Sequence, residues 1–183
     1  MKIAEQKFQE NIAEYVPYMY QIEDVIRAYN LDIDTIMEAH VKPQIEDQLL
    51  QARYRQWYIK LINEMKSQKK EKSGHLASTQ EVMVELSYLH NTMINMTRDK
   101  TYIDLTDKAS KFLDEFREKS NLKEINTVEL AFHGMYMKLL LRLQKKEISE
   151  QTEEAFEAMR GMLAYLSQAY HKMKSGDLDF LNN

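Results

Sequence analysis

The sequence predicts an all-α protein: a bundle of six long helices plus one short helix, with neighbours mostly antiparallel. Three observations carry this. Apolar residues recur three and four apart through most of the chain, the period of one face of an α-helix. Only four glycines and two prolines occur in 183 residues, too few for the tight turns of an all-β protein or the glycine-rich loops of a dinucleotide-binding fold. The stretches that lose the helical period are short, so consecutive helices fold back beside one another. No repeat recurs at a fixed period of about 20 to 50 residues, which sets aside a helical solenoid.

The first helix is expected over Ile3 to Tyr29, with Phe8, Ile12, Tyr15, Met19, Ile22, Ile26 and Tyr29 on one face. Pro17 lies inside that pattern. It has no amide for the carbonyl of Ala13 and its ring crowds that turn, so a kink or break is expected there. Asn30 and Asp32 stop this helix and start a short one from Ile33 to about His40. Pro43 suits the first turn of the third, which runs to about Lys69 with Leu50, Tyr54, Trp57, Leu61 and Met65 aligned. From Lys66 to His75 the period is lost, and this is the clearest loop.

Ser78 and Glu81 have the spacing of a capping box ahead of Val82, Leu86, Leu89, Met93 and Met96, the fourth helix. Tyr102, Leu105, Ala109, Phe112 and Phe116 mark the fifth. Asn126 and Glu129 cap the sixth, which runs to about Lys146. Val128, Phe132, Met135, Tyr136, Leu139 and Leu143 fill one of its faces and Leu130, Met137 and Leu141 a second, which places it in the middle of the bundle. Gly134 suits a close approach by a neighbour, and Lys138, Arg142 and Lys145 are expected to point away from the apolar strip. Ser149 opens the seventh helix, whose stripe is Phe156, Met159, Leu163, Leu166, Tyr170 and Met173, and Gly176 ends it. A single domain of residues 1–174 with a tail of 175–183 follows.

Composition excludes several functions. With no cysteine there is no disulfide framework, Fe–S site or thiolate nucleophile. The net charge of −4, with both signs well mixed, gives no electrostatic footprint for nucleic acid. The first residues, Met1-Lys2-Ile3-Ala4-Glu5-Gln6-Lys7, are charged too early for a signal peptide. The longest strongly apolar segment, Met135 to Leu143, is interrupted by Lys138 and Arg142 and is far below the ~20 residues of a spanning helix. A cytoplasmic protein with neither a membrane nor a nucleic-acid partner is expected.

Several stretches resemble a known family. They are Asn11-Ile12-Ala13-Glu14-Tyr15, Tyr18-Met19, Gln21-Ile22-Glu23-Asp24-Val25-Ile26-Arg27-Ala28, Gly74-His75-Leu76, and Leu139 through Ser149. In these the chain is similar to the short bacterial proteins grouped as domain of unknown function 4924. The likeness covers nearly all of the chain except about the last ten residues. It implies a cytoplasmic, all-helical protein and carries over no activity and no catalytic residue. Pro17 and the tail Ser175 to Asn183 depart from the family pattern.

Familiar helical chemistries lack their residues. A ferritin-like di-iron site needs Glu-x-x-His pairs, but the residues three before the histidines are Met37, Lys72, Ser87, Leu130 and Gln168. Zinc spacings of the His-x-x-x-His type are absent. Glu153-Glu154-Ala155-Phe156-Glu157 matches the first half of a helical pyrophosphohydrolase Mg²⁺ motif, but no glutamate follows Glu157 to supply the second half. These acids read as a solvated helix start, and Asp32 and Asp34 as capping and dipole residues. No metal and no cofactor is implied.

Three groupings carry polar chemistry. Glu23, Asp24 and Arg27 lie one turn apart beside the buried stripe. They form either a helix ion pair or a pocket in which Arg27 clamps an anion. Lys66, Lys69, Lys70, Lys72 and His75 make a basic loop, either solvated or anion-binding through amides freed by Gly74. Glu129 and His133 lie one turn apart on the most apolar helix. They are either a structural hydrogen-bonded pair or an imidazole oriented for base chemistry or ligation.

Twelve methionines and eleven tyrosines suit adaptable packing, and Tyr15, Tyr18, Tyr20 and Tyr29 suit a protein interface as well as a core. The leading expectation is a non-enzymatic binding or scaffolding module that self-associates as a homodimer, since a monomer would also have to cover Leu178, Phe180 and Leu181 of the tail. The alternative is a small-molecule-binding protein or hydrolase-like enzyme with a polar pocket between the first and sixth helices. Candidate site residues are Glu23, Asp24, Arg27, Glu129 and His133.

Overall fold

The computed structural model describes residues 2–177, and all regular structure among them is helical. The elements are α1 (Lys2–Glu10), α2 (Ile12–Ala28), α3 (Ile33–Ile36), α4 (Gln48–Ser67), α5 (Ala77–Asn91), α6 (Lys100–Lys119), α7 (Thr127–Leu143) and α8 (Glu150–Ser175). A π-turn, Met37–Val41, extends α3, and a second, Thr92–Met96, extends α5. Leu178, Phe180 and Leu181, the tail residues behind part of the dimer expectation, lie outside the described residues.

The first expected helix is two helices, and the interruption falls at Asn11 rather than at Pro17. Asn11 is extended (φ −154°, ψ 90°), while α2 is continuous through Pro17. Tertiary partners account for the position. The Ile12 amide, orphaned at the start of α2, donates to Nε2 of His171 on α8 at 3.2 Å. The Asn11 amide oxygen accepts from Ser167 of α8 at 3.2 Å, and its amide nitrogen donates to Glu14 at 3.1 Å. The break thus seats the start of α2 on α8.

Elsewhere the caps explain the boundaries. Asp32 accepts from the Thr35 amide at the start of α3, Asn126 from Glu129 at α7, and Ser149 from Thr152 at α8, as the sequence suggests. Gly176 adopts the left-handed conformation (φ 78°) that closes α8. Two expectations shift. α4 begins at Gln48, because Asp47 accepts the Leu49 and Leu50 amides, so Pro43 sits in the preceding turn. α5 begins at Ala77 behind Leu76, which leaves Ser78 and Glu81 exposed inside the helix and the capping box unmade.

Burial forms two apolar clusters. The larger joins α5, α6, α7 and α8; the smaller joins α1, α3, its π-turn and α4, with Leu76. α2 belongs to both: Ile12, Val16 and Tyr20 enter the larger, and Met19, Ile22 and Ile26 the smaller. α7 packs on α2, α5, α6 and α8, and Val128, Leu130, Ala131 and Phe132 are buried along it. At Gly134 a Cβ would come within 2.6 Å of the Met159 sulfur, so α7 and α8 approach closely there.

Lys138 is a correction to the expected polar face. It is only 4% exposed, with Nζ 3.1 Å from carboxylate oxygens of both Glu153 and Glu157, and it lies over the Phe156 ring. Arg142 joins Glu153 at 3.0 Å, and Arg160 bonds Glu157 at 2.7 Å. The Glu153–Glu157 run that resembles half of a metal motif is an electrostatic seam between α7 and α8.

Candidate functional site

A carboxyl group with no exposed surface is costly unless hydrogen-bonded, and Glu23 on α2 is completely buried. Its partners come from the start of α5. Oε1 accepts from the Leu76 amide at 3.1 Å and the Thr79 hydroxyl at 3.4 Å, and Oε2 lies 2.7 Å from Nδ1 of His75. Gln68 accepts the Ala77 amide at 2.8 Å. Glu23 and Gln68 therefore serve the amides that a local capping box would otherwise have served, and the negative group sits at the favourable end of the helix dipole.

With Oε1 filled by two donors, Oε2 shares a hydrogen bond with His75 Nδ1, and Nε2 has no protein partner among the described residues. The imidazole stacks on Tyr20, with ring centroids 3.7 Å apart and planes 15° apart. His133 from α7 stands 5.5 Å from Tyr20 and 6.0 Å from His75, centroid to centroid. Burial, followed by the nearby His75, holds the His133 imidazole below its ordinary pKa. Burial also raises the Tyr20 phenol, with the Glu129 and Glu23 carboxylates adding to the shift.

The Tyr20 and His75 rings border a cavity of about 330 Å³ between α2, α5 and α7. Tyr20, His75, Thr79, Met83, Val84 and Glu129 face it. Glu129 is the one Asp, Glu, Lys or Arg among the described residues that line it; it is half-buried, and its carboxylate makes no hydrogen bond or ion pair among the described residues. The site thus offers an uncompensated carboxylate, an imidazole backed by a buried carboxyl group, and an apolar wall.

Asp24 and Arg27 form a separate group at its edge. Arg27 bonds Asp24 at 2.8 Å, donates to the Lys70 carbonyl at 3.2 and 3.3 Å and to the Gly74 carbonyl, and stands 3.9 Å from Glu23. Asp24 also accepts from the Tyr136 hydroxyl at 2.6 Å. The guanidinium is therefore committed to fastening the 68–76 loop, which removes the geometric basis for an anion clamp. That loop does not act as one basic cluster either: Lys66, Lys69 and Lys72 are exposed, whereas His75 turns inward behind Gly74 (φ +79°).

Of the sequence candidates, Glu129 borders the cavity, His133 stands beside its rings, Glu23 lies behind His75, and Asp24 with Arg27 lies at the edge. Glu129 and His133 make no hydrogen bond to each other, and the contact of His133 with α2 is to the Tyr20 ring. Helical periodicity places Tyr136 on an apolar face, but the site roles of Tyr20, Tyr136 and the inward-turned His75 are not visible in it. The one local signal for His75 is its place between a loop glycine and a helix start.

Among the described residues no group of three or more histidines and acids is placed to hold a metal ion, and no helix is long and apolar enough to cross a membrane. The family model described as domain of unknown function 4924 matches residues 1–177, and the chain belongs to that family. Comparison with curated proteins and with solved structures gives no match.

Proposed function

We propose that this member of the family is a non-enzymatic binding protein whose ligand is a small organic cation held in the α2–α5–α7 cavity. The observation that carries this reading is Glu129, an unpaired carboxylate on a cavity that no other Asp, Glu, Lys or Arg lines among the described residues. A ligand ammonium would pair with Glu129 and donate to His75 Nε2, while its apolar part lies against Met83 and Val84. Small-molecule sites combine a largely apolar wall with a few convergent polar groups in this way. Asp24 and Arg27 act on the site through the loop that carries His75.

Titration calorimetry with phenethylamine as the probe tests it. Saturable binding is expected, weakened at least tenfold by Glu129→Gln with thermal stability nearly unchanged. Binding that is unaffected by Glu129→Gln overturns the proposal.

A self-associating scaffold is the second reading, and one observation favours it. Val84 and Tyr88 on α5 are each 69% exposed and Met96 on the following π-turn is 74% exposed, a row at four- and eight-residue spacing. The tyrosines of α2 and Tyr29 at its end do not add to it, since Tyr20 is buried and Tyr15, Tyr18 and Tyr29 pack against the chain's own clusters. Under this reading a homodimer is expected in sedimentation velocity at high micromolar concentration. A monomer throughout, or a dimer indifferent to Tyr88→Glu, removes it.

A further inference from the structure

Buried tyrosine hydroxyls ordinarily find a partner, and four in this protein do: Tyr102 with His90, Tyr136 with Asp24, Tyr165 with Asp99 and Tyr170 with Glu85. Of the other buried or half-buried tyrosines, Tyr15, Tyr18, Tyr20, Tyr29, Tyr54 and Tyr58 have no such partner among the described residues, and three of these six gather in one place. Tyr54 and Tyr58 of α4 are 8% and 1% exposed and Tyr18 of α2 is half-buried, yet none of their hydroxyls makes a hydrogen bond among the described residues. All three line one cavity of about 330 Å³ on the side of α2 opposite the Tyr20 site, in the smaller apolar cluster. Each phenol is pushed above its ordinary pKa by burial, so all three remain protonated donors.

The rest of the lining narrows the ligand. In a chain whose residues are 30% charged, no Asp, Glu, Lys or Arg lines this cavity among the described residues. Its other polar members are Gln21, Gln44 and His40. The Gln44 side chain already donates to the His40 carbonyl at 2.9 Å, and burial favours the neutral imidazole of His40. An ion entering here would lose its hydration without gaining a counter-charge. Three phenol donors among aromatic and aliphatic walls instead match an acceptor atom on a flat apolar body. Ile3 and Leu143, 43% and 58% exposed, also line the cavity and present an apolar surface to solvent.

We infer that this cavity is a second ligand site, distinct from the Glu129 site, for an uncharged aromatic carbonyl compound whose oxygen accepts from the hydroxyls of Tyr18, Tyr54 and Tyr58. The single tryptophan, Trp57, reports on it directly, with its ring 5.2 Å from Tyr58, 6.3 Å from Tyr54 and 6.5 Å from Tyr18.

The test is an NMR titration of the Trp57 indole N–H signal with acetophenone, with benzoate as the charged analogue of similar shape. A saturable shift is expected with acetophenone and binding at least tenfold weaker with benzoate. Tyr54→Phe/Tyr58→Phe, which keeps both rings, should bind acetophenone at least tenfold more weakly. Glu129→Gln should leave this titration unchanged, so failure here is distinguishable from failure of the cation site. A shift that never saturates, which means a hydrated cavity only, overturns the inference. So does equal affinity in the double phenylalanine variant, or benzoate binding as well as acetophenone.

Discussion

Replacing Glu23 by alanine is expected to destabilise the protein by about 3–5 kcal/mol, the range for removing one member of a buried polar pair. The substitution does more than open a void. It strips the Leu76 amide and the Thr79 hydroxyl of their acceptor inside the fold, and frees His75 from the group that orients it. Of its hydrogen bonds to α2, the 68–76 loop then keeps those of Arg27 to Lys70 and Gly74. Glu23→Gln should lose markedly less, because its amide oxygen can still accept from the Leu76 amide. Urea unfolding of the two variants measures the difference. A loss below about 1 kcal/mol for the alanine variant would show that the carboxyl group does not anchor α5.

Lys138→Glu is expected to be as damaging, at roughly 3 kcal/mol or more, because it buries a third carboxylate against Glu153 and Glu157. Lys138→Met keeps the stem that packs over Phe156 and should be close to neutral at pH 7, since apolar replacement of a buried charge is often tolerated. The two variants separate in acid. Arg160 and then Lys138 hold the Glu157 carboxyl at about 2, below its ordinary 4.5. A carboxyl group depressed in the fold contributes stability above its unfolded pKa and loses it as pH falls through the folded value. Wild-type stability should therefore drop between about pH 4.5 and 2, and Lys138→Met should flatten that slope. Identical pH profiles for wild type and Lys138→Met would mean that the seam contributes nothing.

What was legible in the sequence follows from what periodicity encodes. Stripes three and four residues apart locate every long helix, because a buried face must repeat with the helical turn. Local caps at Asp32, Asn126 and Ser149 are equally legible, since donor and acceptor lie within one turn of each other. The break at Asn11 is not, because the groups that hold it, Ser167 and His171, are about 160 residues away. Pro17 was the stronger local signal, but the break sits where α8 can complete the helix start. The same reasoning explains α5, whose cap is assembled from Glu23 and Gln68. Glu23 and Glu129 stood out as acids on apolar faces, but their surroundings did not: His75, 52 residues from Glu23, has no periodic relation to it. Lys138 was misread because a long cation between two apolar strips looks solvated until the neighbouring helix is known to bring carboxylates.

The position of α2 in both apolar clusters sets an order on biosynthesis. Its partners in the smaller cluster end at Leu76, so Met19, Ile22 and Ile26 can be covered once less than half of the chain has left the ribosome. Its other face must wait. Ile12, Val16 and Tyr20 are covered by residues that reach to Tyr170, and the Ile12 amide finds its acceptor 159 residues downstream. For most of translation the nascent chain therefore carries one finished cluster with an apolar flank still open beside it. Contacts this far apart along the chain are slow to close, so that flank is the segment on which a chaperone or a misassembled neighbour would act first.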